Sequence, residues 1–195
     1  MRELTYYVAV SLDGYIAGPG GEFDAFLAEG DHMAPIWSRY RGTAPTDLAG
    51  AAGLPVADGP FDTVLMGWNT YAVGLPEHHL PNPYRHLRQI VFTRTHEAPE
   101  GSEGVLFTGA DPVETVRALK REDGQGIWLC GGGALAAGGG AQVAGARGRG
   151  HEPRARGRQP APGGERARQV AAVGLDVARA EREGRHAVGA LADVG

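Results

Sequence analysis

Three short stretches of this 195-residue chain combine glycine, hydroxyl and cationic side chains in patterns that suit phosphate. The first is Gly67 to Tyr71. Gly67 lets the chain turn closely, and Asn69 and Thr70 then open a helix whose free N–H groups attract anions. The second is Thr93-Arg94-Thr95, a guanidinium between two hydroxyls, suited to charge-assisted bonds with a phosphate. The third is Gly131-Gly132-Gly133, followed by Ala134 and Leu135, where no side chain blocks a pyrophosphate. Each has a plainer explanation, because glycine after a strand is usually a turn and a loop arginine is usually solvated. It is their joint occurrence, in this order, that argues for a phosphate-bearing ligand.

All three stretches follow strand-like runs, the place where open α/β sheets bind ligands. Leu4, Tyr6, Val8 and Val10 alternate with Thr5, Tyr7, Ala9 and Ser11, the period of a strand with two different faces. Phe61 to Met66, Gln89 to Thr93, Gly104 to Phe107 and Ile127 to Cys130 read as four further strands. Asp111, Pro112 and Glu114 mark a helix start. Val113, Val116 and Leu119 give that helix one apolar face, and Gly124 ends it. Asp13-Gly14 and Gly18 to Gly21 mark a turn-rich loop, Phe23 to Tyr40 a weak helix, and Thr43 to Pro60 a surface excursion. Strands alternating with helices predict an α/β fold with a largely parallel central sheet.

Composition narrows the function. No stretch approaches the roughly 18 apolar residues of a membrane span. The chain opens directly into a strand-like run, so no signal peptide is expected. The lone cysteine, Cys130, has no internal partner. A cytoplasmic protein with no membrane partner is expected. Residues 1–138 carry 9 Lys/Arg against 17 Asp/Glu, which argues against a general nucleic-acid surface.

Residues 139–195 differ, with 13 Ala, 12 Gly, 10 Arg and no Phe, Tyr, Trp, Ile or Met. Such a tail buries too little apolar surface to offset its ordering entropy, so it is expected to be disordered or poorly packed. Its main pattern is Val170, Val173 and Val177 at helical spacing within 169–194. Its arginines are spread among Gly and Ala without aromatic residues for stacking, which argues against a nucleic-acid role.

Four segments in order, Ala9 to Gly18, Val64 to Tyr71, Val91 to Thr95 and Ile127 to Leu135, closely resemble the dihydrofolate reductase superfamily. The nearest branch is the reductase domain of bifunctional riboflavin-biosynthesis deaminase-reductases. The resemblance implies a dihydrofolate reductase-like, mostly parallel sheet flanked by helices over residues 1–138. It also implies an NADPH-dependent reductase of a small heterocycle, pterin- or pyrimidine-like, and a homodimer as the assembly. By the same likeness, Ala9 and the loop from Asp13 to Gly20 line the nicotinamide end, with Ile16 against the ring. Gly67, Asn69 and Thr70 sit on the phosphates. Thr93 and Arg94 grip the adenosine side, Arg94 being the candidate for the 2′-phosphate. Gly131, Gly132 and Gly133, with Leu135, lie under the pyrophosphate and nicotinamide ribose. The acids placed about where the family keeps its proton donor are Asp31 and Asp24. Asp13 is a third, although it reads more naturally as a turn aspartate before Gly14.

Two departures from the family stand out. Trp68 follows the glycine where relatives usually place a basic residue, and the Gly/Ala/Arg tail replaces the helix and strands that complete the sheet. The tail reads as the product of a reading-frame change in GC-rich DNA. The rival function is therefore a non-catalytic nucleotide-binding or interaction protein, or an inactive copy of such a reductase.

Other constellations fit less well. A Rossmann dehydrogenase matches Gly131-x-Gly133-x-x-Ala136 only loosely, because its fingerprint belongs to an early strand–helix unit. His78, His79 and His86 lack ligand spacing for a metal. Cys130 reads as a small buried strand residue, since no histidine stands beside it.

Overall fold

The computed structural model describes residues 1–11, 15–23, 26, 30, 33–56, 58–75, 79–137 and the backbone of 171–176. Five strands run parallel: β1 (Leu4–Val10), β2 (Phe61–Gly67), β3 (Arg88–Phe92), β4 (Val105–Thr108) and β5 (Gly126–Gly131). A sixth, β6 (Ala171–Asp176), lies antiparallel to β1, and the sheet order is β4-β3-β2-β5-β1-β6. The helices are α1 (Met33–Arg39), α2 (Thr46–Ala51), α3 (Trp68–Ala72), α4 (Pro112–Arg121) and the single turn α5 (Gly133–Leu135).

The sheet is apolar on both faces, as a sheet covered on both sides must be. Successive residues of each central strand feed opposite cores. Leu65, Ile90, Ile127 and Leu129 join Leu4 and the α4 residues Val116 and Leu119 on one face. Val64, Met66, Val91 and Trp128 join Phe61, Tyr71 and Leu87 on the other. Each such fully buried large side chain contributes roughly 1.5–3 kcal/mol.

The start of α4 is set by its cap: the Asp111 carboxylate accepts from the backbone N–H groups of Val113 at 2.8 Å and Glu114 at 3.0 Å. Pro112 follows at the first helical position, where no N–H is needed. At the amino ends of the strands, buried Arg2 ties the pole of the sheet together. Its guanidinium donates to Asp62, to the Thr63 hydroxyl at 2.7 Å and to the Gln125 carbonyl at 2.8 Å.

Three local expectations are corrected. Asn69 does not begin a helix by capping it; Gly67 is the cap residue of α3, with no side-chain cap bond, and Asn69 is exposed one residue into the helix. A glycine cap satisfies the turn by conformation alone, so the Asn-Thr signal was not needed. The excursion from Thr43 to Pro60 contains α2, anchored by buried Ala49. The valine spacing within 169–194 suggested helix, but 171–176 runs as a strand. Its backbone pairs with β1 from Thr5↔Asp176 to Val10↔Ala171, which covers an edge that β1 would otherwise leave open.

Candidate functional site

β2 and β5 are neighbours in the sheet but not in the chain. The connection from β2 leads away to β3 and β4, and the chain returns through α4 to β5 on the other side of β2. Such a reversal opens a crevice above the carboxyl ends of the strands.

A second gap opens beside it. The β1–β5 pairing runs Leu4↔Ile127, Thr5↔Trp128 and Tyr6↔Leu129, and ends there. Both strands continue: β1 stays paired with β6 to Val10, and β5 with β2 through Met66↔Gly131. The strands therefore part beyond Tyr6 and Leu129. The carbonyls of Glu3 and Tyr7 both face β5, taking the Ile127 N–H at 2.7 Å and the Trp128 indole N–H at 3.1 Å. By the two-residue alternation of a strand, the backbone of Ala9 lies on that same edge, at the parted end.

Glycines cluster where β2 and β5 end. Gly67 backs against the Gly131–Gly132 peptide, which is cis: a Cβ on Gly67 would stand 3.7 Å from the Gly132 nitrogen and 3.9 Å from Leu135 Cβ. Gly131 has φ +145°, a backbone that side chains disfavour. A Cβ on Gly131 or on Gly132 would come within 3.4 Å of the Thr70 hydroxyl, and one on Gly133 within 3.5 Å of Ile16. Gly67 and Leu135, the Gly131–Gly132 turn and Thr70, and Gly133 and Ile16 are thus close neighbours at the carboxyl ends of β2 and β5.

The other sequence-derived candidates fall around it. Thr93 and Arg94 follow β3, one strand further out. The Thr93 N–H donates to the Thr108 carbonyl at 2.9 Å, and Arg94 is exposed beside Gly109, with no ion pair among the described residues. Gly20 is exposed and its N–H donates to the Glu22 carboxylate at 2.9 Å. Asp13, Asp24 and Asp31 lie outside the described residues.

Titratable groups on the parted strands are held neutral. Burial pushes the Tyr6 phenol up to about 12, with Cys130 adding to the effect. Burial also takes Tyr7 to about 12, with Tyr40 adding and a hydrogen bond with Thr43 opposing. The Cys130 thiol is likewise pushed up to about 12 by burial, a hydrogen bond with Tyr84 opposing. A neutral thiol is a poor nucleophile, in keeping with a packing role for Cys130. His86 is also committed, its Nδ1 bonded with the Thr46 hydroxyl at 2.9 Å and its Nε2 with the Gly42 carbonyl at 2.7 Å. His78 lies outside the described residues, among which no three His, Cys, Asp or Glu side chains gather as metal ligands.

Sequence reasoning missed two features of this region. One is Trp128, whose indole takes a β1 carbonyl at the point of parting; a tryptophan within a buried strand signals that its N–H needs such a partner. The other is His96, which stacks on Trp68 with ring centroids 4.0 Å apart and planes at 10°. These rings are distant in sequence, and nothing in their spacing announces the contact.

A parallel sheet flanked by helices, with glycine turns at the carboxyl ends of β2 and β5, defines the α/β class, whose ligands bind at that pole. More particularly, residues 2–139 match the family model of the RibD C-terminal domain, and the chain belongs to that family, which is of the reductase type. The chain is also similar to "Uncharacterized protein YyaP" of Bacillus subtilis (strain 168), 26% identical over 147 residues. The match covers 69% of this chain and 65% of that protein, just under two thirds of its length. No helix among the described residues is long and apolar enough to cross a membrane.

Proposed function

We propose that the chain is an NADPH-dependent reductase of a small heterocycle, pterin- or pyrimidine-like. The observation that carries this reading is the parting of β1 from β5 directly above a run of three glycines. A planar ring fits between strands that have separated, and side chains at Gly131 or Gly132 would fill the space such a ring and its phosphates need.

When bound, the nicotinamide supplies a hydride. The protein's part is to bind, orient and exclude water. The backbone edge of β1 at Ala9 offers a donor and an acceptor to a carboxamide, and Ile16 closes the apolar side. Thr70 and the Gly131–Gly132 turn face the ribose and phosphates, while Arg94, exposed and without an ion pair among the described residues, takes a 2′-phosphate. Tyr6, Tyr7 and Cys130 are kept protonated at neutral pH by burial. Asp31, Asp24 and Asp13 remain the proposed proton donors, and a homodimer in the cytoplasm the proposed assembly.

The test is titration of the full chain with NADPH, followed by hydride transfer to a panel of pterins and pyrimidines, read as loss of NADPH absorbance. Binding with turnover of any member supports the reading. Binding without turnover by any of them favours a non-catalytic nucleotide-binding protein, and no binding by folded protein ends both.

A further inference from the structure

We infer that the stacked pair Trp68–His96 is a floor for a purine ring, a recognition element separate from the phosphate contacts. This rests on the nucleotide reading above and adds residues that it does not use.

The pair is the outer end of an aromatic ladder. Trp68 leans on Tyr71 at 5.6 Å and on Phe107 at 6.4 Å, and Tyr71 meets Phe107 edge-on at 5.2 Å. Tyr71 is itself buried, its hydroxyl donating to the Pro81 carbonyl at 2.7 Å. The indole is thus braced from the core, and His96 lies flat on it at 4.0 Å. His96 is exposed, so the imidazole face turned away from Trp68 meets solvent.

The imidazole is also fixed in plane. Its Nδ1 lies 3.2 Å from the Thr93 hydroxyl and 3.1 Å from the Thr95 hydroxyl, and its backbone N–H donates to Thr93 Oγ1 at 3.1 Å. A flat, pre-oriented, one-side-open ring is what a base needs for stacking, and it costs little ordering entropy on binding. Arg94 sits between these two threonines, exposed and without an ion pair among the described residues. Stacking surface and phosphate-seeking cation therefore share one four-residue turn, Thr93 to His96.

The two elements divide the work. Stacking reads the adenine, which NADPH and NADH share, whereas Arg94 reads only the 2′-phosphate. Trp68 adds ring area and no charge, so within this turn discrimination between the two cofactors falls on Arg94.

The experiment is calorimetric titration of the full chain and of His96→Ala, His96→Tyr and Arg94→Ala. The probes are NADPH, NADH, reduced nicotinamide mononucleotide and adenosine 2′,5′-bisphosphate. A base stacked on one aromatic ring is worth about tenfold in affinity, so His96→Ala is expected to weaken NADPH and NADH alike by about that factor. The tyrosine variant should restore the ring and the affinity, and the mononucleotide, which has no adenine, should be unaffected. Arg94→Ala should weaken NADPH but not NADH. Equal loss for the mononucleotide, or no loss for either dinucleotide, overturns the floor. Should wild-type protein bind no nicotinamide nucleotide, the reductase reading fails. The bisphosphate then decides the floor alone: His96-dependent binding supports it, and no binding overturns it.

Discussion

The indole N–H of Trp128 donates to the carbonyl of Tyr7 at 3.1 Å, just where β1 leaves β5. An acceptor that the sheet no longer satisfies is thereby taken up by a side chain, and the strands separate without stranding a buried polar group. The ring is held in turn by Tyr84, edge-on at 5.2 Å, and by Phe61 and Tyr7. Trp128→Phe keeps much of this packing and removes the donor. It should cost about 1–2 kcal/mol in urea denaturation and weaken NADPH binding, because the Tyr7 carbonyl at the point of parting loses its donor. Loss of stability with unaltered affinity would show that the bond serves the core alone.

The glycine turn should respond in the opposite proportion. Gly132→Ala places a methyl near the Thr70 hydroxyl at a backbone conformation that alanine adopts readily, φ −87° and ψ −170°. The fold should lose no more than about 1 kcal/mol, since the methyl meets Thr70 at an ordinary contact distance and the backbone conformation suits alanine. Cofactor affinity should fall at least tenfold, because the methyl enters the space assigned to the ligand. Gly131→Ala meets the strained φ of +145° as well, and is expected to lower both stability and affinity. Thermal melts with nucleotide titrations distinguish the two.

At the opposite pole, Asp62 faces buried Arg2, and its other oxygen accepts the Gln125 N–H at 2.7 Å. Asp62→Asn leaves the guanidinium with the Thr63 hydroxyl, the Gln125 carbonyl and a Glu122 carboxylate at 3.7 Å. The expected loss is about 2 kcal/mol, below the usual range for a fully buried pair because Asp62 is partly solvated. Nucleotide affinity should not change, since the cluster lies at the amino ends of the strands. A changed affinity would mean that this pole communicates with the glycine pole.

Sequence legibility followed the range of the interactions. β1, β2, β5 and the Asp111 cap could be read because alternation and capping are decided by neighbours along the chain. The converging glycines were legible too, as turns that follow strands. What could not be read depends on partners far away in sequence. Trp128 reaches Tyr7 across 121 residues, and Trp68 meets His96 only because β2 and β3 lie side by side. The β6 strand escaped for another reason: Ala171 to Asp176 is a weak strand by composition, and it pairs because β1 presents an open edge.

Alkaline stability offers a check on the parted strands that needs no ligand. Cys130 titrates at about 12 when folded, against an ordinary value near 9, because burial disfavours the thiolate. The folded state therefore keeps a proton that the unfolded chain gives up. Below about pH 9 both states hold it, and the contribution to stability is fully present. Between about pH 9 and 12 the unfolded state binds fewer protons, so stability falls as pH rises. Tyr6 and Tyr7, also raised to about 12, add to the fall in the upper part of that window. Cys130→Ala removes the thiol's share and should give a shallower decline beginning at higher pH, measured as urea midpoints from pH 7 to 11. An unchanged slope would mean that the thiol meets solvent in the folded protein.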